Sequence, residues 1–237
     1  MTKKFKIFVL FIWLLPTIGV SQNTEAFFSA ADTFFAQHVN EGRVDYKSIV
    51  SSSGPLDNLL KMAAEIRVET SDADTYRAFW INAYNLAVIK GIINNYPTNS
   101  PLDDAGFFDK TKYSLGGKKT TLNDIEHKLL RANFKDARFH FVLVCGAIGC
   151  PPLISNAYLP STLDTQLEVQ TKKAINGSFI KVKKNKVYAS KIMEWYKEDF
   201  TMNGKTEIDF INTYRTEKIS NKAKLSYFDY DWNLNKQ

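Results

Sequence analysis

Phe27, Phe28, Ala31, Phe34, Phe35 and His38 recur at the i, i+3/i+4 and i+7 spacing of one helix face, which predicts an amphipathic helix ending near Gly42. A Ser-rich turn from Ser51 to Gly54 leads through Pro55 into a second helix, roughly Leu56 to Ile66. Ser71 and Asp72 then offer N-caps to the longest helix, about Asp74 to Asn94. Its middle, AFWINAYNLAVIKGII, is apolar nearly all round, the pattern of a helix buried on every side. Gly116-Gly117, between the strand-like runs of Tyr113 to Thr121, predicts a hairpin. Thr121, followed three residues on by Asp124, caps a short helix carrying Glu126, His127, Leu130 and Arg131.

Arg138 to Cys145 predicts a strand whose period of two puts Arg138, His140, Val142 and Val144 on one side and Phe139, Phe141, Leu143 and Cys145 on the other. Pro160 and Ser161 start a helix to about Ile175, and a second hairpin turns at Lys184-Asn185. KIMEWYKEDF reads as a short helix with Asp199 as a structural acceptor. Glu207 to Tyr214 reads as another helix and Leu225 to Trp232 as a last strand-like segment. Helices come first and a strand-rich half follows. The expectation is a single α+β domain, residues 22–237, with a buried central helix and N-terminal helices packed on a small, mainly antiparallel sheet.

The N-terminus changes how the charge is read. Lys3, Lys4 and Lys6 precede an apolar run from Ile7 to Val20 that ends in small residues, the pattern of a secretory signal peptide over residues 1–21. The run is shorter than the roughly 20 residues a spanning helix needs, so the mature protein is expected in the periplasm or outside the cell, with no membrane span. Removing three lysines and no acid lowers the formal charge from +6 to +3. The remaining lysines are scattered, which excludes a basic face for nucleic acid. A 44% hydrophobic, 14% aromatic composition excludes disorder.

Asn82 and Asn85 stand at i and i+3, on one face of the buried helix. An unpaired buried amide costs about 1–3 kcal/mol, so each must hold a backbone group, a side chain or a ligand. They tie neighbouring loops to the core, or they orient a catalytic side chain or an oxyanion. Cys145 ends the expected strand in a Gly-rich turn. Strand parity sends His140 away from it, so His127, 18 residues upstream on a separate element, is the preferred imidazole partner. Glu126 or Asn82 would orient His127, while Gly146 and Gly149 would let turn amides approach the sulfur. Asn85, His140 and Gly146 complete the set as binding positions.

Cys145 and Cys150 are the only two cysteines, and in an oxidising compartment they can equally pair. His140, Cys145 and Cys150 at five-residue spacings match no zinc motif, so no metal and no cofactor are expected.

FWINAYN, IEHKLLR, HFVLVCGAIGCPP, EWYKEDF and the terminal YDWNLN, in that order, resemble the DUF547 family of uncharacterised bacterial and plant domains across nearly the whole mature chain. The resemblance implies that Asn82, Asn85, Glu126, His127 and Cys145 are the site positions and that Cys150 is dispensable; it implies no activity. A vaguer likeness is to papain-like and transglutaminase-like hydrolases. There the cysteine starts the central helix and the histidine follows, whereas here that helix has no cysteine and His127 precedes Cys145.

Two functions from different classes are expected. One is an exported cysteine-dependent hydrolase or acyl transferase with Cys145 as nucleophile, His127 as base, and Glu126 or Asn82 orienting it. The other is a non-catalytic periplasmic binding or assembly domain. Its partner is a small molecule, peptide or glycan held in a cleft between the helical and strand-rich halves.

Overall fold

The computed structural model describes residues 18–237. The leader read over residues 1–21 lies outside them except for its last four residues, which open helix α1, Ile18–His38. No helix among the described residues is long and apolar enough to cross a membrane. Helices α2, Tyr46–Ser51, and α3, Gly54–Glu65, follow α1 and pack with it around α4, Ala73–Asn94. Asp72 caps α4 by accepting from the Thr75 N–H at 3.3 Å. Every residue from Ala78 to Ile89 is buried, as the all-round apolar pattern requires. Phe27 of α1 meets Phe79 of α4 with ring centroids 5.4 Å apart, and truncating either to alanine would cost about 3–5 kcal/mol.

Helix α1 ends at His38, earlier than its periodicity suggests, because the chain turns back at Glu41-Gly42 to pair β1, Val39–Asn40, with β2, Arg43–Val44. Gly42 has φ +83° there, and a Cβ would sit 2.6 Å from Pro152, so no side chain fits. The expected hairpin forms from β3, Tyr113–Leu115, and β4, Lys118–Thr120, across Gly116-Gly117, both at positive φ. Thr121 accepts from the Asp124 N–H and opens a π-helical segment, Asp124–Arg131, which short α5, Ala132–Phe134, extends.

The strand expected over residues 138–145 does not form. Ala137–Phe141 is a 3-10 helix, opened by Asp136 accepting from the Arg138 N–H, and residues 142–145 continue as irregular chain. The reason is tertiary. Where a neighbouring strand would pair with this backbone, the Asn85 amide of α4 does so: its Nδ2 donates to the Val142 carbonyl at 3.0 Å and its Oδ1 accepts from the Val144 N–H at 2.9 Å. With no second strand, period-two parity loses its meaning.

Beyond this segment come α6, Leu163–Asn176, the hairpin β5, Ile180–Lys183, and β6, Lys186–Ser190, then α7, Lys191–Trp195, α8, Lys197–Phe200, α9, Glu207–Tyr214, and β7, Lys224–Phe228. The single helix expected over KIMEWYKEDF is two, broken at Tyr196. The three-stranded sheet has the order β5-β6-β7, antiparallel at the first pairing and parallel at the second. Phe141, Phe179, Val187, Phe200 and Ile211 form a smaller core beneath it. The fold is α+β, helical around α4 with small sheets at its edge.

Candidate functional site

Where these elements meet lies a pocket of about 310 Å³. That volume suits a small molecule or a single side chain. Tyr84 of α4, Glu126 of the π-helix, His140 of the 3-10 helix, and Leu143, Cys145 and Cys150 of the chain after it form one side of it. The other side is Trp195 and Tyr196 from the break between α7 and α8, with Tyr230 and Trp232 from the C-terminal tail. Phe108, Asn123 and Ile192 complete the lining.

The polar groups form a relay behind the wall. His140 Nε2 lies 2.6 Å from Asp199 Oδ2, and the Arg131 guanidinium reaches the same oxygen at 2.6 Å. Burial alone would raise the Asp199 carboxyl, but hydrogen bonds from His140 and Arg131 overcome it and hold the group far below the usual carboxylate range. Arg131 also reaches Glu198 at 3.0 Å and contacts His127 Nδ1 at 2.5 Å. The far nitrogen of His140, Nδ1, faces Glu126 Oε1 at 4.0 Å, beyond hydrogen-bond reach. Glu126 instead takes the Tyr196 hydroxyl. Burial, and then the charge of Glu126, push the Tyr84, Tyr196 and Tyr230 phenols upward, so all three are neutral at physiological pH.

Cys145 and Cys150 are joined as a disulfide with Cα atoms 6.1 Å apart, within the ordinary range for that bond. No free cysteine remains among the described residues. The Tyr230 hydroxyl stands 3.0 Å from each sulfur, and the Cys145 N–H donates to Cys150 Sγ at 2.9 Å. The loop closed by this bond is clamped by the tail. Ile148 N–H donates to the Asn233 carbonyl and Gly149 N–H to the Asp231 carbonyl, each at 2.8 Å, while the Gly146 carbonyl accepts from the Asn235 N–H.

The structure redistributes the site residues expected from sequence. Cys145, Glu126 and His140 line the pocket together. His127 does not; it sits behind Tyr196, its ring 6.2 Å away, and is held by Arg131. The preference for His127 over His140 rested on strand parity, and it falls with the strand. Asn82 is buried but orients no histidine: its Nδ2 donates to the Ala78 and Tyr158 carbonyls and its Oδ1 accepts from the Tyr158 N–H, tying the 157–159 segment to α4. Asn85 does the same for residues 142–144 and thereby positions Cys145.

Gly146 is no ligand-facing position, since its φ of +84° serves the turn and a Cβ would meet Ile92 at 2.5 Å. The expected nest of turn amides is spent as well, because Ile148, Gly149 and Cys150 all donate within the protein. Among the described residues no group of three or more His, Cys, Asp or Glu side chains could hold a metal ion.

Sequence reasoning treated Asp199 as a structural acceptor and passed over Trp195, Tyr230 and Trp232 as site residues. The one signal available was the clustering of tryptophan and tyrosine in EWYKEDF and YDWNLN, two of the motifs that carried the resemblance.

Residues 68–175 match the model of the DUF547 family, described as a protein of unknown function. Over this stretch the chain belongs to the DUF547 family. It includes α4, Glu126, His140 and the disulfide, and it stops before Trp195, Asp199 and Tyr230. No curated protein and no solved structure matches the chain.

Proposed function

We propose that this DUF547 protein is exported, to the periplasm or beyond, and binds a small ligand or the end of a peptide or glycan in the aromatic pocket, with the Cys145–Cys150 disulfide as a structural clamp. The observation that carries the reading is the pocket itself: six aromatic rings converge on Glu126 and His140, and one of them, Trp195, stays 49% exposed at the rim. An exposed tryptophan on a wall of stacked rings gains its packing from something outside the chain. The leader pattern and the disulfide both support an oxidising compartment.

Two measurements test this. N-terminal sequencing of the mature protein is expected to begin at Gln22; retention of residues 1–21 on a soluble protein would remove the export reading. A fragment library screened by tryptophan fluorescence is expected to yield ligands that quench the wild type and fail on Trp195→Ala and Trp232→Ala. A library with no ligand sensitive to either substitution would remove the binding reading. The Cys145→Ser/Cys150→Ser protein is expected to keep its ligands.

One observation favours a second reading, thiol chemistry in the reduced protein. A histidine oriented by a carboxylate at 2.6 Å, on the wall of the pocket that also holds Cys145, is the arrangement in which an imidazole serves as a base. Once a dithiol has reduced the disulfide, the Cys145 proton would pass to His140. The thiolate would attack an acyl carbon, and the leaving group would take the proton back before water releases the acyl group. Reduced protein would then hydrolyse p-nitrophenyl esters with a burst that Cys145→Ser abolishes. Esters left intact, with Cys145 unlabelled by iodoacetamide in the folded reduced protein, would exclude it.

A further inference from the structure

We propose that the aromatic pocket is a site for a quaternary ammonium cation, a proposal that rests on reading the pocket as a ligand site and names the ligand class. Three features select that chemistry. Trp195, Tyr230 and Trp232 form a continuous shelf, with centroids 4.7 Å apart for Tyr230 and Trp232, 5.0 Å for Trp195 and Tyr230, and 5.9 Å for Trp195 and Trp232. Tyr84, Tyr196 and Phe108 close the other sides. Rings gathered in this way can offer a cation their negative quadrupoles; Tyr196 already carries the Arg131 guanidinium 4.8 Å from its centroid, so the shelf supplies the free rings.

The second feature is charge. Glu126 is 8% exposed, and among the described residues no lysine or arginine nitrogen lies within 4.0 Å of its carboxylate. Arg131 feels the charge of Glu126, but its hydrogen bonds go to Asp199 and Glu198. Burial raises the surrounding phenols, so the walls are neutral rings and the carboxylate is the charge an incoming ligand meets. A buried carboxylate lacking a close cation favours a positively charged ligand.

Hydrogen-bonding capacity separates the candidate ligand classes. A primary ammonium needs three acceptors; besides Asn123 and the tyrosine hydroxyls the lining supplies Glu126, shared with Tyr196, and His140, shared with Asp199. A sugar needs donors and acceptors around its whole ring edge. A methylated ammonium needs none and fills apolar space, which is what most of this lining presents.

The test compares choline with its neutral isostere 3,3-dimethyl-1-butanol on the oxidised wild-type protein, read by tryptophan fluorescence and calorimetry. Choline is expected to bind at least about tenfold more tightly, a ratio equivalent to about 1.4 kcal/mol. Glu126→Gln should close most of that gap, and Trp195→Ala should weaken choline severalfold.

Equal affinity for the two probes would overturn the cation assignment while leaving the pocket as a neutral ligand site. Absence of choline binding alongside fragments that still bind in a Trp195-dependent way would do the same. Failure of every fragment would instead remove the underlying site reading. The choline comparison needs no variant, so a misfolded Glu126→Gln chain leaves it intact. The ammonium can belong to a free molecule or to a lipid headgroup: cosedimentation with phosphatidylcholine vesicles that choline reverses identifies the headgroup, and choline binding without cosedimentation identifies the free form.

Discussion

The two walls of the pocket are built on different principles. One, carrying His140, is backed by a polar relay in which His140 and Arg131, both largely buried, each reach Asp199 at 2.6 Å. The other is the aromatic shelf, joined by ring contacts, tied to the disulfide through the Tyr230 hydroxyl, and half open to water at Trp195. The relay is stiff because removing any member strands a buried charge; the shelf tolerates loss because a ring at the rim has little burial to give up. Stability and recognition should therefore separate by wall, and the following substitutions probe that separation.

Asp199→Asn carries the largest expected effect. It leaves Arg131 and His140 without their shared carboxylate, at a cost of about 3 kcal/mol. For a chain of this size that is a fall of roughly 6–12 °C in melting temperature, measured by calorimetry. The pH dependence has a definite sign. The folded carboxyl lies below its unfolded value, so its stabilisation is full above the usual aspartate range near pH 4 and is lost as pH falls further. The gap between wild type and Asp199→Asn should thus shrink as pH falls below about 4. A gap that widened in that acid range would contradict the assignment of Asp199 as the ionised centre of the relay.

Opening the Cys145–Cys150 loop with a double alanine substitution removes a short closure, worth about 2 kcal/mol by chain entropy. Urea denaturation measures it. A loss much larger than that would mean the disulfide, through Tyr230, also holds the shelf in place. His127→Ala should cost about 1 kcal/mol, the worth of its contact with Arg131. It should leave ligand binding unchanged, whereas His140→Ala should disturb both. Trp195→Ala should change stability by no more than about 0.5 kcal/mol while weakening ligand binding severalfold, the sharpest contrast between the two walls.

Legibility followed the range of the interactions. Helices α1, α3 and α4 and both hairpins could be read because periodicity, N-caps and positive-φ turn residues act within a few positions. The segment Arg138 to Cys145 could not. Its alternation is that of a strand, but its backbone partner is a side chain more than fifty residues away, Asn85. The error spread from there to the choice of histidine. Asn82 and Asn85 were legible as buried amides that must be satisfied, and the structure supplies their partners in loop backbone. Asp199 and Tyr230 were illegible as site residues, because nothing local brings them to residues 59 and 85 positions distant.

By itself the amino-acid sequence determined the buried helix, the α+β class, the family over residues 68–175, and the presence of Glu126, His140 and two cysteines in one stretch of chain. Local sterics and hydrophobic period are sufficient for such things. Tertiary structure alone decided that His140 rather than His127 faces the pocket, that the two sulfurs are joined beneath Tyr230, and that tail and helix break supply the aromatic wall. Those outcomes depend on which distant groups can satisfy a buried backbone and a buried charge, and only the closed fold brings such groups together.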